Sequence, residues 1–282
     1  MGANLRSSFV DASILLLACS LSLLGLGDYD DGLRAFQQGD YAAALKEWLP
    51  LATAGDAEAQ MGIGFMYDNG QGVPQDYAEA ARWFRKAAEQ GNAEAEVNLG
   101  VLYDNGQGVP QNFAEAVRWY GKAVEQRNAT AQYYLGTMYA NGRGVPQDYA
   151  KAASWFRKAA EQGYAQAQGA LGAMYNQDKG VPRNYVEAVR WSRKAADQGN
   201  AAAQLLLGSM YGLGKGVPQD YVVSHMWLSL AAANGIAEAA NIRDAVAAQM
   251  TPVQIAKAQR LAREWKPRTD GLPVRLRRNP GL

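Results

Sequence analysis

The chain has 282 residues and an almost balanced charge, with 28 basic residues, 27 acidic residues and a formal net charge of +1. This balance provides no overall field to attract nucleic acid or an acidic substrate, which argues against both as partners. Hydrophobic residues make up 48% of the sequence and runs of β-branched residues are scarce, a composition that favours closely packed helices over sheets.

The first 27 residues have the three-part pattern of a secretory signal peptide. Arg6 gives a positive start, residues 12–24 form an apolar stretch, and small residues flank position 26. The apolar stretch is shorter than the ~20 residues that a membrane helix needs. We therefore expect cleavage before Asp28 and an exported protein, periplasmic or secreted, without an integral membrane span in its mature form.

Cys19, the only cysteine, allows a second interpretation of the same segment. The residues before it, Leu16-Leu17-Ala18, resemble a lipobox, which would make the protein lipid-anchored at Cys19. Against this, Asp11 leaves only a short uncharged run before Cys19, and the residues after it remain hydrophobic. If cleavage precedes Asp28 instead, the mature protein has no disulfide, so its stability must come from packing.

Residues 28–54 are predicted to form a degenerate helix pair that lacks the turn motif of the following repeats. Trp48 lies in the second of these helices, which Asp40 caps at its N-terminus. Atypical terminal units are expected in a repeat protein, because its outermost units must cover exposed apolar faces.

Five repeats of 36 residues follow, marked by a Gly-Val-Pro motif and a tryptophan that recur at the same interval. The motif begins at Gly72, Gly108, Gly144, Gly180 and Gly216, and the tryptophans are Trp83, Trp119, Trp155, Trp191 and Trp227. A fixed period of this length indicates an all-α solenoid of helix-turn-helix repeats. The units span 55–90, 91–126, 127–162, 163–198 and 199–234.

The second unit illustrates the helix signals that every repeat carries. Asn92 is the predicted N-cap of a first helix, and Gly106 ends that helix in the left-handed conformation. The turn contains Gly108 and leads to a second helix capped by Asn112, with Glu115 as its capping-box partner. Apolar residues spaced three, four and seven apart give each helix one buried face.

Glycine recurs in the middle of each first helix, where it costs about 1 kcal/mol relative to alanine. The five positions are Gly64, Gly100, Gly136, Gly172 and Gly208. We expect close approach of the paired second helix, through its tryptophan, to explain them. A further glycine closes every repeat junction except one, where Arg127 stands and predicts slight strain.

The segment from Leu99 to Tyr120, LGVLYDNGQGVPQNFAEAVRWY, resembles the Sel1-like repeat, a relative of the tetratricopeptide repeat. The resemblance covers 55–234 fully and 28–265 loosely, and the ending from His225 to Trp265 is similar to that of bacterial members. It implies a right-handed α/α solenoid that serves as an adaptor or scaffold, commonly exported and linked to envelope processes, signalling or host contact.

The C-terminal part is predicted to contain capping helices over 235–265, followed by a tail. Thr251, Pro252 and Gln254 have the cap, first-turn and capping-box residue types of a helix N-terminus. The tail, 266–282, carries five basic residues, three prolines and two glycines, and we expect it to be disordered.

No residue pattern in the sequence predicts catalysis, a metal site or a cofactor. His225, the only histidine, occupies a repeat slot that otherwise holds Ala81, Val117, Ala153 and Val189, so we expect it to pack in the interior. The turn after Asp68 offers one carboxylate where a calcium loop supplies several. A cell-wall or glycan-acting envelope enzyme, or an accessory protein, remains the alternative function and would need an acid pair or nucleophile confined to one copy.

A stripe of first-helix residues is the candidate partner surface, because in tetratricopeptide-like solenoids first helices line the concave face. The stripe contains Met61, Phe65, Val97, Asn98, Val101, Tyr133, Tyr134, Thr137, Leu205 and Leu206. Its residue types vary between copies and are mostly apolar, as at interaction sites. The alternative is that these side chains seal neighbouring units. We expect a protein or peptide partner in the envelope; the oligomeric state stays open.

Overall fold

The structure, a computed structural model, describes residues 28–268, and over that range it contains fourteen α-helices and no strand. The helices are α1 Tyr29–Gln37, α2 Tyr41–Ala54, α3 Ala57–Asn69, α4 Tyr77–Glu89, α5 Ala93–Asn105, α6 Phe113–Glu125, α7 Ala129–Asn141, α8 Tyr149–Glu161, α9 Ala165–Gln177, α10 Tyr185–Asp197, α11 Ala201–Leu213, α12 Tyr221–Ala233, α13 Ala237–Ala247 and α14 Pro252–Glu264. The predicted signal peptide and nearly all of the predicted tail lie outside the described residues. The all-α fold class with a 36-residue helix-pair period is confirmed.

The contacts within the chain divide the described residues into two units, 28–123 and 124–268. In the first unit, one apolar cluster surrounds Trp48 and a second surrounds Phe84 and Trp119. In the second unit, clusters form around Phe156 and Trp191, and around Trp227. Each cluster joins first and second helices of successive repeats, so a repeat buries its apolar face against its neighbours.

Side-chain caps and left-handed C-caps set the length of the first helices. Asn128 Oδ1 accepts a hydrogen bond from the N–H of Ala131 at 2.9 Å, and Gly142 ends α7 at φ 66°. The same arrangement bounds α3, α5 and α11. In α9, Tyr164 makes no side-chain cap and Asp178 adopts the left-handed φ of 61°. This helix therefore has the weakest local signals at its two ends, and its position depends more on packing.

The mid-helix glycines do lie against the paired second helix, as expected from their recurrence. A Cβ atom on Gly136 would stand 2.7 Å from the Phe156 ring, and one on Gly100 would stand 2.6 Å from the Tyr120 ring. The expectation that the tryptophan makes this contact was wrong. The residue directly after the tryptophan makes it in all five repeats, because that residue points at the first helix of its own pair.

Buried glutamines form a ladder that joins the two helices of a repeat and, in three copies, reaches the preceding repeat; this ladder was not predicted from the sequence. The buried residues are Gln60, Gln132, Gln168 and Gln204. Their Oε1 atoms accept from the side-chain amides of Gln90, Gln162, Gln198 and Asn234 at 2.8–2.9 Å. Three of them also donate to a backbone carbonyl eight residues earlier, at 3.0–3.3 Å. The recurrence of a polar residue at this buried slot, glutamine in four repeats and Glu96 in the second, was the available signal.

The junction at Arg127 differs from the others in residue type but not in backbone region. Arg127 adopts φ 59°, whereas the glycines at the other repeat junctions have φ between 85° and 108°. A left-handed conformation costs a residue with a Cβ atom roughly 1–2 kcal/mol. The strain expected at this junction therefore arises from the left-handed backbone conformation of Arg127.

The two ends of the described chain carry their own closing contacts. Trp48 in α2 is fully buried and its Nε1 donates to the carbonyl of Tyr29 at 3.1 Å. At the other end, Thr251 and Gln254 form a reciprocal capping box at the start of α14. After α14, the Trp265 ring packs edge-on against Trp227 at 6.0 Å. Each end thus packs a tryptophan against its neighbouring helices, Trp48 fully buried and Trp265 half-buried.

Candidate functional site

The first helices of the three repeats in the second unit, α7, α9 and α11, contain no charged residue, and among the other described helices only α12 shares this feature. Charged side chains in this unit are carried by the second helices, the turns and the C-terminal helices. The predicted stripe residues Tyr133, Tyr134 and Thr137 lie on α7, and Leu205 and Leu206 lie on α11. All five are half-buried, so they are accessible on an uncharged surface.

The two tyrosines of α7 are placed differently. The Tyr133 ring lies tilted at 5.6 Å from the Phe156 ring and 5.4 Å from the Tyr164 ring, and it packs on the cluster around Phe156. The Tyr134 ring lies 5.6 Å from that of Tyr133. Tyr133 therefore has an interior packing role as well as an exposed edge, and Tyr134 is the better candidate for contact with a partner.

The pair of leucines on α11 repeats this arrangement 72 residues later in the chain. Leu205 occupies the slot of Tyr133 and packs against the cluster formed by Leu228, Ala231 and Ala239. Leu206 occupies the slot of Tyr134. The inner residue of each pair is thus anchored in the core, and the next residue is placed to meet a partner.

Between these two helices, α9 carries small residues in the same slots. Gly169, Ala170 and Ala173 stand where α7 has Tyr133, Tyr134 and Thr137, and all three are half-buried. The small side chains of α9 are therefore flanked by the larger ones of α7 and α11. We call this surface the trough and define it by Tyr134, Thr137, Ala170, Ala173, Leu206 and Ser209.

Two hydroxyl groups of the trough, those of Thr137 and Ser209, form hydrogen bonds within their own helices. Thr137 Oγ1 donates to the carbonyl of Tyr133 at 3.1 Å, and Ser209 Oγ donates to the carbonyl of Leu205 at 2.9 Å. Back-bonding of this kind is common for Ser and Thr inside helices. Thr137 therefore has no hydroxyl proton left to donate to a partner, although its oxygen can still accept a hydrogen bond.

In the first unit, most of the predicted stripe is interior. Met61, Phe65, Val97 and Val101 are buried, and only Asn98 is half-buried. Met61 and Phe65 belong to the cluster around Phe84, and the Phe65 ring meets Phe36 edge-on at 5.9 Å. For Met61 and Phe65 the structure agrees with the alternative interpretation, in which stripe residues seal neighbouring helices.

His225 is buried on α12 with 4% of its surface exposed. Its Nδ1 lies 3.3 Å from Ser229 Oγ, and Ser229 also donates to the backbone carbonyl of His225 at 2.8 Å. Burial, with the positive charge of Arg243, holds the pKa of the imidazole below its usual value, which favours the neutral form. Within 28–268, no group of three or more His, Cys, Asp or Glu residues is placed to hold a metal ion.

The charged surface of the second helices forms a second candidate site, and its groups are engaged with one another. A cleft there is lined by Arg157, Glu161, Tyr175, Glu187, Arg190, Trp191 and Lys194. Arg157 donates to Tyr175 Oη at 2.6 Å, Arg190 pairs with Glu187 at 3.1 Å, and Lys194 lies over the Trp191 ring. Arg85 and Arg193 make the same contact with Tyr103 and Tyr211, so this pair joins a second helix to the next first helix in three of the five repeats.

The repeats that a family model recognises in this chain agree closely with the units predicted from the sequence. The family model of the Sel1 repeat matches residues 57–92, 93–128, 129–164, 165–200 and 201–236. Each match begins two residues after the unit drawn from the glycine pattern. Among curated proteins, none matches the chain significantly.

Two solved structures are similar over most of the chain. The first is a protective antigen present in uropathogenic Escherichia coli strains, which displays an SLR fold. It is 37% identical, with a TM-score of 0.72, over 84% of this chain and 52% of its own, so this chain spans about half its length. The second is a Sel1 repeat protein from Oxalobacter formigenes, 31% identical, with a TM-score of 0.72, over 86% of this chain and 97% of its own.

Proposed function

The chain belongs to the Sel1 repeat family, and we propose that it is an exported, non-enzymatic scaffold that binds a protein partner on the trough. Repeats of this family generally serve as protein–protein interaction scaffolds. The observation that carries the proposal is the uncharged character of three successive first helices whose accessible side chains change from copy to copy.

Variation in these slots argues for recognition over packing. The same positions hold Tyr, Tyr and Thr on α7, then Gly, Ala and Ala on α9, then Leu, Leu and Ser on α11. In contrast, the mid-helix glycine is kept in every copy because it meets the paired helix. A contiguous apolar surface of varied shape is typical of an interaction site.

The affinity of the partner for a Tyr134→Ala variant tests this proposal. A large aromatic side chain near the centre of an interface commonly contributes about 2 kcal/mol or more, so we expect capture from the envelope fraction to weaken by roughly 30-fold. Tyr149→Ala is the matched control, because Tyr149 is an exposed tyrosine on the second helix α8. Unchanged capture by Tyr134→Ala, or loss of capture by His225→Ala, contradicts the proposal and favours the enzyme alternative.

Export is part of the same proposal and has a separate test. The signal-peptide pattern of residues 1–27 supports it, as does similarity to a protein described as a protective antigen. Among the described helices, none combines the length and apolar character needed to cross a membrane. N-terminal sequencing of exported material is expected to begin at Asp28, whereas a lipid-modified Cys19 would place the protein on a membrane instead.

A further inference from the structure

We infer that the partner presents an amphipathic α-helix to the trough, with an uncharged apolar face against Tyr134, Ala173 and Leu206. This inference rests on the proposed function and adds the chemistry and secondary structure of the bound segment. Three properties of the trough support it: its lack of charge, its scarcity of side-chain groups that could hydrogen-bond to the backbone of a partner, and its shape.

The lack of charge restricts the residue types of the partner. Helices α7, α9 and α11 supply no acidic or basic side chain to compensate a charge brought into the trough. Burying an uncompensated charge is strongly unfavourable. The contacting face of the partner is therefore uncharged, and charged residues of the same segment lie on its solvent side.

The hydrogen bonds of the trough distinguish a helical partner from an extended one. An extended segment presents unpaired backbone N–H and C=O groups along its length, whereas a helix satisfies its own. Besides the Tyr134 hydroxyl, the trough's polar side-chain groups are the hydroxyls of Thr137 and Ser209, which donate to their own helices, and Ala170, Ala173 and Leu206 have no polar side-chain atom. An extended chain would find few partners here, so the trough favours a helix.

The shape of the trough is consistent with the size of a helix. Neighbouring packed helices lie roughly 8–10 Å apart, so α7 and α11, which flank α9, are separated by about twice that distance. A helix with side chains is about 10–12 Å across. Ala170 and Ala173 keep the floor low between the larger Tyr134 and Leu206, which allows the apolar face of such a helix to enter.

A displayed library of random peptides about 16 residues long, roughly four helical turns, provides the test when selected against the full chain. We expect enriched peptides to carry apolar residues at helical spacing, with no charge on that stripe and no internal proline. Their binding should weaken by about tenfold or more with Ala173→Lys and with Leu206→Lys, because each places a charge in the trough. A variant counts in this test only if its circular dichroism shows the helical content of the parent. If only one of the two variants folds, that variant alone decides the result.

The control is Ser154→Lys, which adds the same charge on α8 in a slot that holds arginine in other repeats, and it should leave binding unchanged. Binders that are weakened by a trough variant but contain central prolines or a charged contact face overturn the helix inference and leave the proposed function intact. Peptides whose affinity is unchanged by Ala173→Lys, Leu206→Lys and Tyr134→Ala contradict both the helix inference and the proposed function. Failure to enrich any binder also overturns the inference.

Discussion

Single residues decide how closely the paired helices approach. Gly136 faces the Phe156 ring, and the carbonyl of Ala152 lies behind it at 3.3 Å from the position of an added Cβ. The sequence predicted this close approach from the cost of a recurrent mid-helix glycine. It did not reveal the contacting residue, because that slot holds Phe84, Tyr120, Phe156, Ser192 and Leu228, whereas the adjacent tryptophan is constant.

Substitutions at two glycines, Gly136 and Gly121, test whether this contact limits stability. Gly136→Ala should lower the free energy of unfolding by about 1–3 kcal/mol through overpacking, and Gly136→Leu should lower it further. Gly121 is also inside a helix, α6, but an added Cβ would meet nothing within 4 Å. Gly121→Ala should therefore raise stability by about 0.5–1 kcal/mol. Denaturant unfolding measures both, and a Gly136→Leu protein as stable as its parent would rule out close packing at this site.

The pH dependence of stability reports on His225. The unfolded imidazole has a pKa near 6.5, and burial lowers it in the folded protein, so below about pH 6.5 the unfolded chain binds more protons. Stability should therefore fall as the pH drops from about 7.5 to about 5.5. His225→Val, which introduces the residue found at Val117 and Val189, should reduce this loss. Thermal melts at the two pH values measure this loss of stability. An equal loss in the parent and in His225→Val would contradict the assignment of the pH dependence to His225.

At the scale of helices, the sequence determined where most of them begin and end, because caps, left-handed glycines and the Gly-Val-Pro turn recur. The connections between helices were harder to predict. The ladder glutamines look like ordinary helix-surface residues in the sequence, and their partners lie 30 residues further along the chain. A residue pair that joins the two helices of one repeat is not visible from the periodicity of either helix.

Gln168 tests the ladder directly. It accepts from Gln198 at 2.9 Å and donates to the carbonyl of Ala160 at 3.1 Å. Gln168→Met keeps much of the volume but removes both hydrogen bonds, so it should lower the free energy of unfolding by about 1–3 kcal/mol. Gln166→Met on the same helix is the control, because Gln166 is exposed and its change should stay within about 0.5 kcal/mol. Equal stability of the two variants would show that the ladder contributes nothing.

At the scale of the whole molecule, the repeat period identified the fold class, and the variable stripe identified the first helices as the candidate partner surface. Which stripe residues are buried and which are accessible could not be predicted, because a helical wheel does not show which side chains are covered by neighbouring helices. Met61 and Phe65 are interior in the first unit, whereas Tyr134 and Leu206 are accessible in the second. The first helices also differ in charge: α3 and α5 carry acidic residues, and α7, α9 and α11 carry none.

Site-specific photo-crosslinking from position 134 in the exporting cell tests the central claim most directly, since it asks which surface meets the partner. A photoreactive phenylalanine analogue in place of Tyr134 is expected to give a discrete crosslinked protein, while the same analogue at Tyr149 on α8 gives none. Both positions are tyrosines in the second unit, so the comparison isolates the face of the repeat. A crosslink from position 149 with none from position 134 would contradict the account.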